Sequence, residues 1–241
     1  MSNAHANAAG SGFTYSTEDG WGHLRLDRPQ AGNRVALEAL AAMTALLDSE
    51  RGRAGVLLLS AAGPDFCLGR ERAEQAAPIP PFDAFRPVAA FYRALSEFPG
   101  LTISAVQGRA AGFGVGMALR TDVCLASDDA SFTLDEIPHG IPPMFVLSEL
   151  VDHMHPKHLM EMVLTGRTVA APEALAMGIA SRTLPAGQLL STAREMAGRL
   201  SGSKADLVAV CKRYTRQIRA VPHASRLDAA LSAQTRYAVG G

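Results

Sequence analysis

Cysteine is scarce in this chain. Its three residues, Cys67, Cys124 and Cys211, are odd in number, widely spaced and never arranged as CxxC. That excludes a disulfide framework and a thiol redox motif, and suits reduced thiols. An excess of charge of one sign is also missing: 23 Lys and Arg balance 23 Asp and Glu. Nothing in the overall charge therefore directs the chain to nucleic acid or to an anionic membrane. No apolar run approaches the roughly 20 residues that span a bilayer, and the N-terminus lacks the basic and apolar regions of a signal peptide. These absences lead us to expect a soluble, cytoplasmic protein. No repeat recurs at the 20–50-residue periods of solenoids. A metal site is not expected either. His153, His155 and His158 crowd together, but Pro156 breaks the helix between them and no zinc spacing accompanies them.

What is present is enough apolar material, 48% of 241 residues, for one large domain or a domain with a small appendage. Residues 1–12 (MSNAHANAAGSG) are small and polar and read as a flexible leader. Residues 21–26 alternate toward an X-Pro break at Pro29, as a strand does. In 36–49 (ALEALAAMTALLDS), Leu37, Leu40, Met43, Leu46 and Leu47 share one helical face. The continuous apolar run 55–60 (GVLLLS) suits a strand covered on both sides. A glycine-marked loop, 62–70 (AGPDFCLGR), leads into a charged, proline-rich segment through Pro81, read as a mobile loop. A helical pattern then fills 82–98 and closes at Pro99–Gly100.

The chain is organised around 101–122 (LTISAVQGRAAGFGVGMALRTD). An apolar strand runs into a loop where Gly108, Gly112, Gly114 and Gly116 leave the backbone nearly bare, and a small-residue helix follows. Bare backbone at a helix N-terminus suits an oxyanion, because N–H groups and the positive dipole end point the same way. Strands at 122–127 and 130–134 deliver Asp135 and Glu136 into a Pro/Gly-rich turn. Beyond it, helices are expected at 144–153, 156–164, 172–177, 186–200, 204–219 and 224–237, interrupted by a strand at 179–184. Strand–helix units followed by a helix-rich region imply an α/β core with a helical C-terminal part.

Three segments in order, DFCLGRE (65–71), the glycine loop and SFTLDEIPHGI (131–141), resemble the crotonase superfamily, the enoyl-CoA hydratases and isomerases. The likeness runs from about Trp21 to Pro185, where LTGRTVAAPEALAMGIASRTLP continues it. The resemblance implies an α/β spiral of ββα turns over 13–185 that carries an acyl-thioester site. It also implies a helical region over 186–241 used for contacts in a homotrimer or hexamer. No resident cofactor is implied; CoA enters as part of the substrate, and an acyl-carrier-protein thioester is an alternative. The shared chemistry holds a thioester enolate with two backbone N–H groups, which by resemblance fall on Arg70 and Phe113. Leu68, Gly69, Gly112, Gly114, Gly116 and His139 are read as substrate-binding positions beside these donors, and acyl-chain selectivity falls to 71–98.

Glu136 matches the family's second catalytic glutamate. Flanked by Phe132, Ile137 and Pro138, it is expected to be partly desolvated, as a base that must return a proton requires. The departure is Gly116, which stands where the hydratases carry their first glutamate. Water addition usually uses two carboxylates, whereas shifting a double bond can use one. The expectation is therefore 3-enoyl to 2-enoyl isomerisation, with hydration and thioester decarboxylation as alternatives. Asp135, Glu71 or Glu149 would supply a second carboxylate if one enters from another element. The Arg70 guanidinium is a candidate for a substrate carboxylate or a CoA phosphate, and Arg28 and Arg34 for CoA phosphates. His139 is read as structural or as a second acid/base, and Cys67 as packing. Two other classes stand beside this reading. A dinucleotide site fails because the glycines run G-x-G-x-G rather than G-x-G-x-x-G. A non-catalytic thioester binder accounts for Gly116 but not for the retained Glu136.

Overall fold

The computed structural model describes residues 12–71 and 81–239. The expected leader, apart from Gly12, and the proline-rich loop before Pro81 lie outside the described residues. The first strand comes earlier than the sequence reading placed it. β1 (Phe13–Glu18) pairs antiparallel with β2 (Trp21–Leu26) through Asp19 and Gly20, at φ 37 and 85. Two residues with positive φ make the mirror-image turn whose twist matches that of the flanking strands.

After α1 (Leu37–Glu50) come β3 (Val56–Ala61), α2 (Pro81–Ser96) and β4 (Leu101–Val106). Then follow β5 (Arg109–Ala111), α3 (Phe113–Leu119), β6 (Val123–Ser127) and β7 (Ser131–Thr133). The chain continues with α4 (Met144–Leu150), α5 (Pro156–Thr165), β8 (Thr168–Ala170), α6 (Ala171–Met177) and β9 (Arg182–Leu184). It closes with α7 (Leu189–Leu200), α8 (Ala205–Arg219) and α9 (Arg226–Ala238). The main sheet runs β1-β2-β3-β4-β6-β9, parallel except at the β1–β2 hairpin, and a small second sheet runs β5-β7-β8. The three-residue strands β5 and β8 were not read from the sequence.

The apolar run in β3 works as expected. Leu57 and Leu59 join the larger core with Leu40, Met43 and Leu47 of α1 and Phe91 and Leu95 of α2. Val56 and Leu58 point to the other face, where Ala193 and Ala197 of α7 cover them together with Ile103 and Leu125. Alternation along a strand thus feeds two layers, each fully buried aliphatic contributing about 1.5–3 kcal/mol. Leu37 and Leu46 complete the predicted face of α1 as partly buried residues. α8 and α9 contain no buried residue. α8 is fastened instead by Lys212, whose Nζ lies 2.6 Å from Asp122 Oδ2 and donates at 2.8 Å to the carbonyl of Gly100.

Candidate active site

The second sheet clasps the two loops singled out by sequence. The amides of Phe66 and Cys67 both donate to Arg109 O, and Ala111 N returns a bond of 2.9 Å to Cys67 O. On its other side, residues 69–71 pair with Val35: Val35 N donates to Gly69 O at 3.1 Å, and Glu71 N to Val35 O at 2.9 Å. In such a parallel bridge the middle residue turns its own N–H the opposite way. The Arg70 amide therefore faces away from Val35. Gly69, at φ 106, makes the bend that allows this.

Phe113 opens α3, where the first N–H groups have no intrahelical partner. Gly112, the residue before it, adopts φ 47 and ψ −107. A Cβ there would lie 3.0 Å from Glu136 Oε1, so the bare backbone is what lets the carboxylate approach the start of α3. Glu136 is held from behind. Its carbonyl accepts from His139 N at 3.0 Å and Ile141 N at 2.9 Å around the turn Ile137–His139. Its Oε2 is sealed from solvent.

Arg70, Phe113 and Glu136 line a single cavity of about 140 Å³, walled by Val88, Tyr92, Phe145 and Val146. Leu68, Gly69 and Gly112 line it as well. Gly114 and Gly116 are not among its described lining residues. Gly114 packs on Cys67, whose carbonyl a Cβ there would meet at 2.3 Å, and Gly116 faces Tyr92. His139 is exposed outside the cavity, with Nδ1 2.6 Å from Asp135 O; a carbonyl only accepts, so Nδ1 carries the proton. Of the alternative carboxylates, Asp135 and Glu71 border the cavity. Glu71 is ion-paired with Arg28. Glu149 is absent from the described lining and borders a separate cavity of about 600 Å³ beneath α8. There its carboxyl is 3.6 Å from Arg120 Nε and 3.5 Å from His153 Nε2.

Arg34 also reaches the cavity, and its guanidinium donates to Leu68 O. The Arg70 guanidinium lies over Phe85, 5.4 Å from the ring centroid. Cys67 is fully buried and burial pushes its thiol up to about 12, so it packs as an inert thiol rather than a nucleophile. His155 and His158 stack edge to face, 6.1 Å apart.

Sequence reasoning missed Tyr92. It is 3% exposed on α2, its hydroxyl donates to Phe113 O at 2.9 Å, and its ring stacks on Phe113 at 5.0 Å. The only local signal was an aromatic inside a helical pattern, which is more often core.

The model of the enoyl-CoA hydratase/isomerase family matches residues 16–238. The chain belongs to the enoyl-CoA hydratase/isomerase family. A Mycobacterium bovis member named "probable enoyl-CoA hydratase" is 33% identical over 199 residues, covering 79% of this chain and 76% of that protein. Carnitinyl-CoA dehydratase of Proteus mirabilis is 36% identical over 169 residues, 67% of this chain and 63% of its own. An enoyl-CoA hydratase structure from Mycobacterium smegmatis superposes with a TM-score of 0.85 at 23% identity, covering 93% of this chain and 90% of that one. A Thermobifida fusca protein solved with acetoacetyl-CoA gives 0.86 at 21% identity and 95% coverage of both chains. The crotonase fold expected from the resemblance is therefore the fold observed. Among the described residues of this family member, no helix is long and apolar enough to cross a membrane.

Proposed function

We propose that this protein binds an acyl thioester, carried on CoA or on an acyl carrier protein, and moves a double bond from the 3- to the 2-position using one glutamate. The observation that carries the reading is the convergence of Arg70, Phe113 and Glu136 on one cavity while position 116 contributes no carboxylate. The thioester oxygen would sit between the N–H groups of Arg70 and Phe113. Glu136 would take a proton from C2, the negative charge would spread to the oxygen and to C4, and the same carboxyl would return the proton at C4. Each backbone donor aimed at the developing oxyanion in a dry site contributes roughly 2.7–4 kcal/mol. The place of Glu136 beside Gly112 supports this geometry: a Cβ added at Gly112 would lie 3.0 Å from Glu136 Oε1, so the base sits next to the residue that precedes Phe113.

Hydration is the second reading, supported by the names of the relatives and by Glu71 and Asp135 at the cavity edge. For assembly we infer a homotrimer or hexamer in the cytoplasm. Support for the assembly comes from α8 and α9, which contain no buried residue in this chain and expose Leu207 on α8 and Leu227 and Leu231 on α9.

The test is incubation with 3-enoyl-CoA and, separately, 2-enoyl-CoA in D2O, with products and deuterium followed by mass spectrometry. Double-bond migration and deuterium uptake are expected, and Glu136→Gln should lower both by at least about 10²-fold. Water addition as the dominant reaction would replace this reading with hydration. Absence of migration, hydration and exchange across acyl chains would leave a thioester binder.

A further inference from the structure

Gly116 stands where the resemblance places the hydratases' first glutamate, and the volume beside it is filled. A Cβ at 116 would lie 2.2 Å from Tyr92 Oη, 2.8 Å from its Cζ and 3.3 Å from Val146 Cγ2. These separations are far inside contact distance, and the phenol is not free to swing aside. Its hydroxyl donates to Phe113 O, and its ring stacks on Phe113 with 11° between the planes. The Arg120 guanidinium carbon sits 3.9 Å from the ring centroid. Arg120 is itself pinned by bonds to the carbonyls of Gly116, at 3.0 Å, and Phe145, at 2.5 Å, and to Ser148 Oγ at 3.2 Å. Burial drives the phenol's pKa well above its ordinary value, so the hydroxyl keeps its proton and remains a donor.

We propose that Tyr92 is the specificity-determining residue of this site. Its phenol occupies the space that a side chain at 116 would use, and it denies water that approach to the acyl chain. Adding water across a double bond needs a water held and activated at one face of the substrate. Here that place is taken by an aromatic ring whose single polar hydrogen is committed to Phe113 O. The chemistry left is proton transfer by Glu136 alone. The same bond grips the carbonyl of the residue whose N–H is assigned to the oxyanion, so one side chain both closes the water site and steadies the donor. This inference rests on the isomerase reading above and names what enforces it.

The test uses the full chain and 2-butenoyl-CoA as the hydration probe. Gly116→Glu with Tyr92 in place is expected to add water no faster than the parent protein. Tyr92→Ala combined with Gly116→Glu is expected to hydrate at least tenfold faster than either single variant. Hydration by Gly116→Glu alone, or a double variant no faster than the singles, overturns the proposal. If the double variant does not fold, a thermal-melting cycle decides. In a helix interior alanine ordinarily stabilises relative to glycine. Gly116→Ala should nevertheless lower Tm in the parent, and should raise it or leave it unchanged in a Tyr92→Leu background. A Tm change of the same sign in both backgrounds refutes the wedge. Migration and deuterium exchange in the parent report on the isomerase reading separately: their absence sinks that reading, whereas the hydration and melting comparisons bear on Tyr92 alone.

Discussion

Gly112 joins backbone geometry to chemistry at a single residue. Its φ of 47 with ψ of −107 disfavours any L side chain, and a Cβ would press on Glu136 Oε1. Gly112→Ala is therefore expected to fail in two ways that separate experimentally. Backbone strain should cost about 1–3 kcal/mol in a urea melt. Displacement of the carboxylate by a few tenths of an ångström should lower the rate of the proposed proton transfer severalfold, short of the roughly 10²-fold that a 1 Å misplacement costs. An unchanged kcat would show that Glu136 is not placed by this contact. At this scale the sequence was most legible where neighbours in the chain are neighbours in the site. The pairs Gly69–Arg70, Gly112–Phe113 and Asp135–Glu136 each sit in one short segment, and each reaches the cavity. Tyr92 was illegible for the opposite reason. Its partners Phe113 and Gly116 lie on α3 and Arg120 just beyond its end, and only the packing of α2 on α3 makes a tyrosine there different from any other core aromatic.

Elements show the same contrast between local and distant information. Helix α1 was readable from spacing because its own residues carry the pattern. Strand β1 carries a usable signal as well, the Asp19–Gly20 pair between two alternating segments, but a weaker one than the X-Pro break that marks the strand after it. β5 and β8 were out of reach, since three residues make no period. The attachment of α8 was also invisible in sequence. Lys212 on α8, its side chain 7% exposed, reaches Asp122 at the end of α3's turn, and Asp122 Oδ2 also accepts from Thr102 N and Oγ1, each at 2.8 Å. Burial lowers the pKa of Lys212 and the Asp122 carboxylate opposes that shift. Asp122→Asn leaves this ammonium without its carboxylate. The expected cost is about 2 kcal/mol, below that of a fully buried pair because the Asp122 side chain is 21% exposed. Early amide exchange in α8 of this variant, ahead of the main sheet, would confirm that the pair fastens the helix. Uniform exchange would assign its role elsewhere.

At the scale of the whole molecule, the succession of strand–helix units and a helical tail was evident from sequence, while the strand order and the separate β5-β7-β8 sheet were not. Those depend on which distant segments meet, as β6 meets β9. The two-layer core also has a global consequence for acid stability. His23 on β2 is 5% exposed, with Nε2 2.7 Å from Ser60 Oγ. Burial, reinforced by Arg194 and Arg25, lowers its pKa from 6.5 to about 4. The fold thus holds the neutral ring, and the unfolded chain takes up the proton first. Stability from this group is complete above pH 6.5 and is lost progressively as pH falls toward 4. Between about pH 7 and pH 4.5 the loss should be about 2–3 kcal/mol. Denaturant melts of the parent and His23→Gln at both pH values check this, since the variant should be less acid-sensitive by that amount. Equal acid sensitivity would show that other groups carry the effect.

The direct backbone contact between the Cys67 segment and Gly114 sets something like the jaw of a caliper. Gly114 has no side chain of its own to hold the two loops apart, and Ala111 N bonds directly to Cys67 O, so the separation of the loops that carry Arg70 and Phe113 is set largely by main-chain atoms. The walls at Val88, Phe145 and Val146 are, by contrast, side chains. Exchanging them resizes the chamber while the jaw keeps its setting. Under the proposed reading, a library confined to those three positions should therefore alter which acyl groups are accepted while the loops carrying Arg70 and Phe113 keep their spacing.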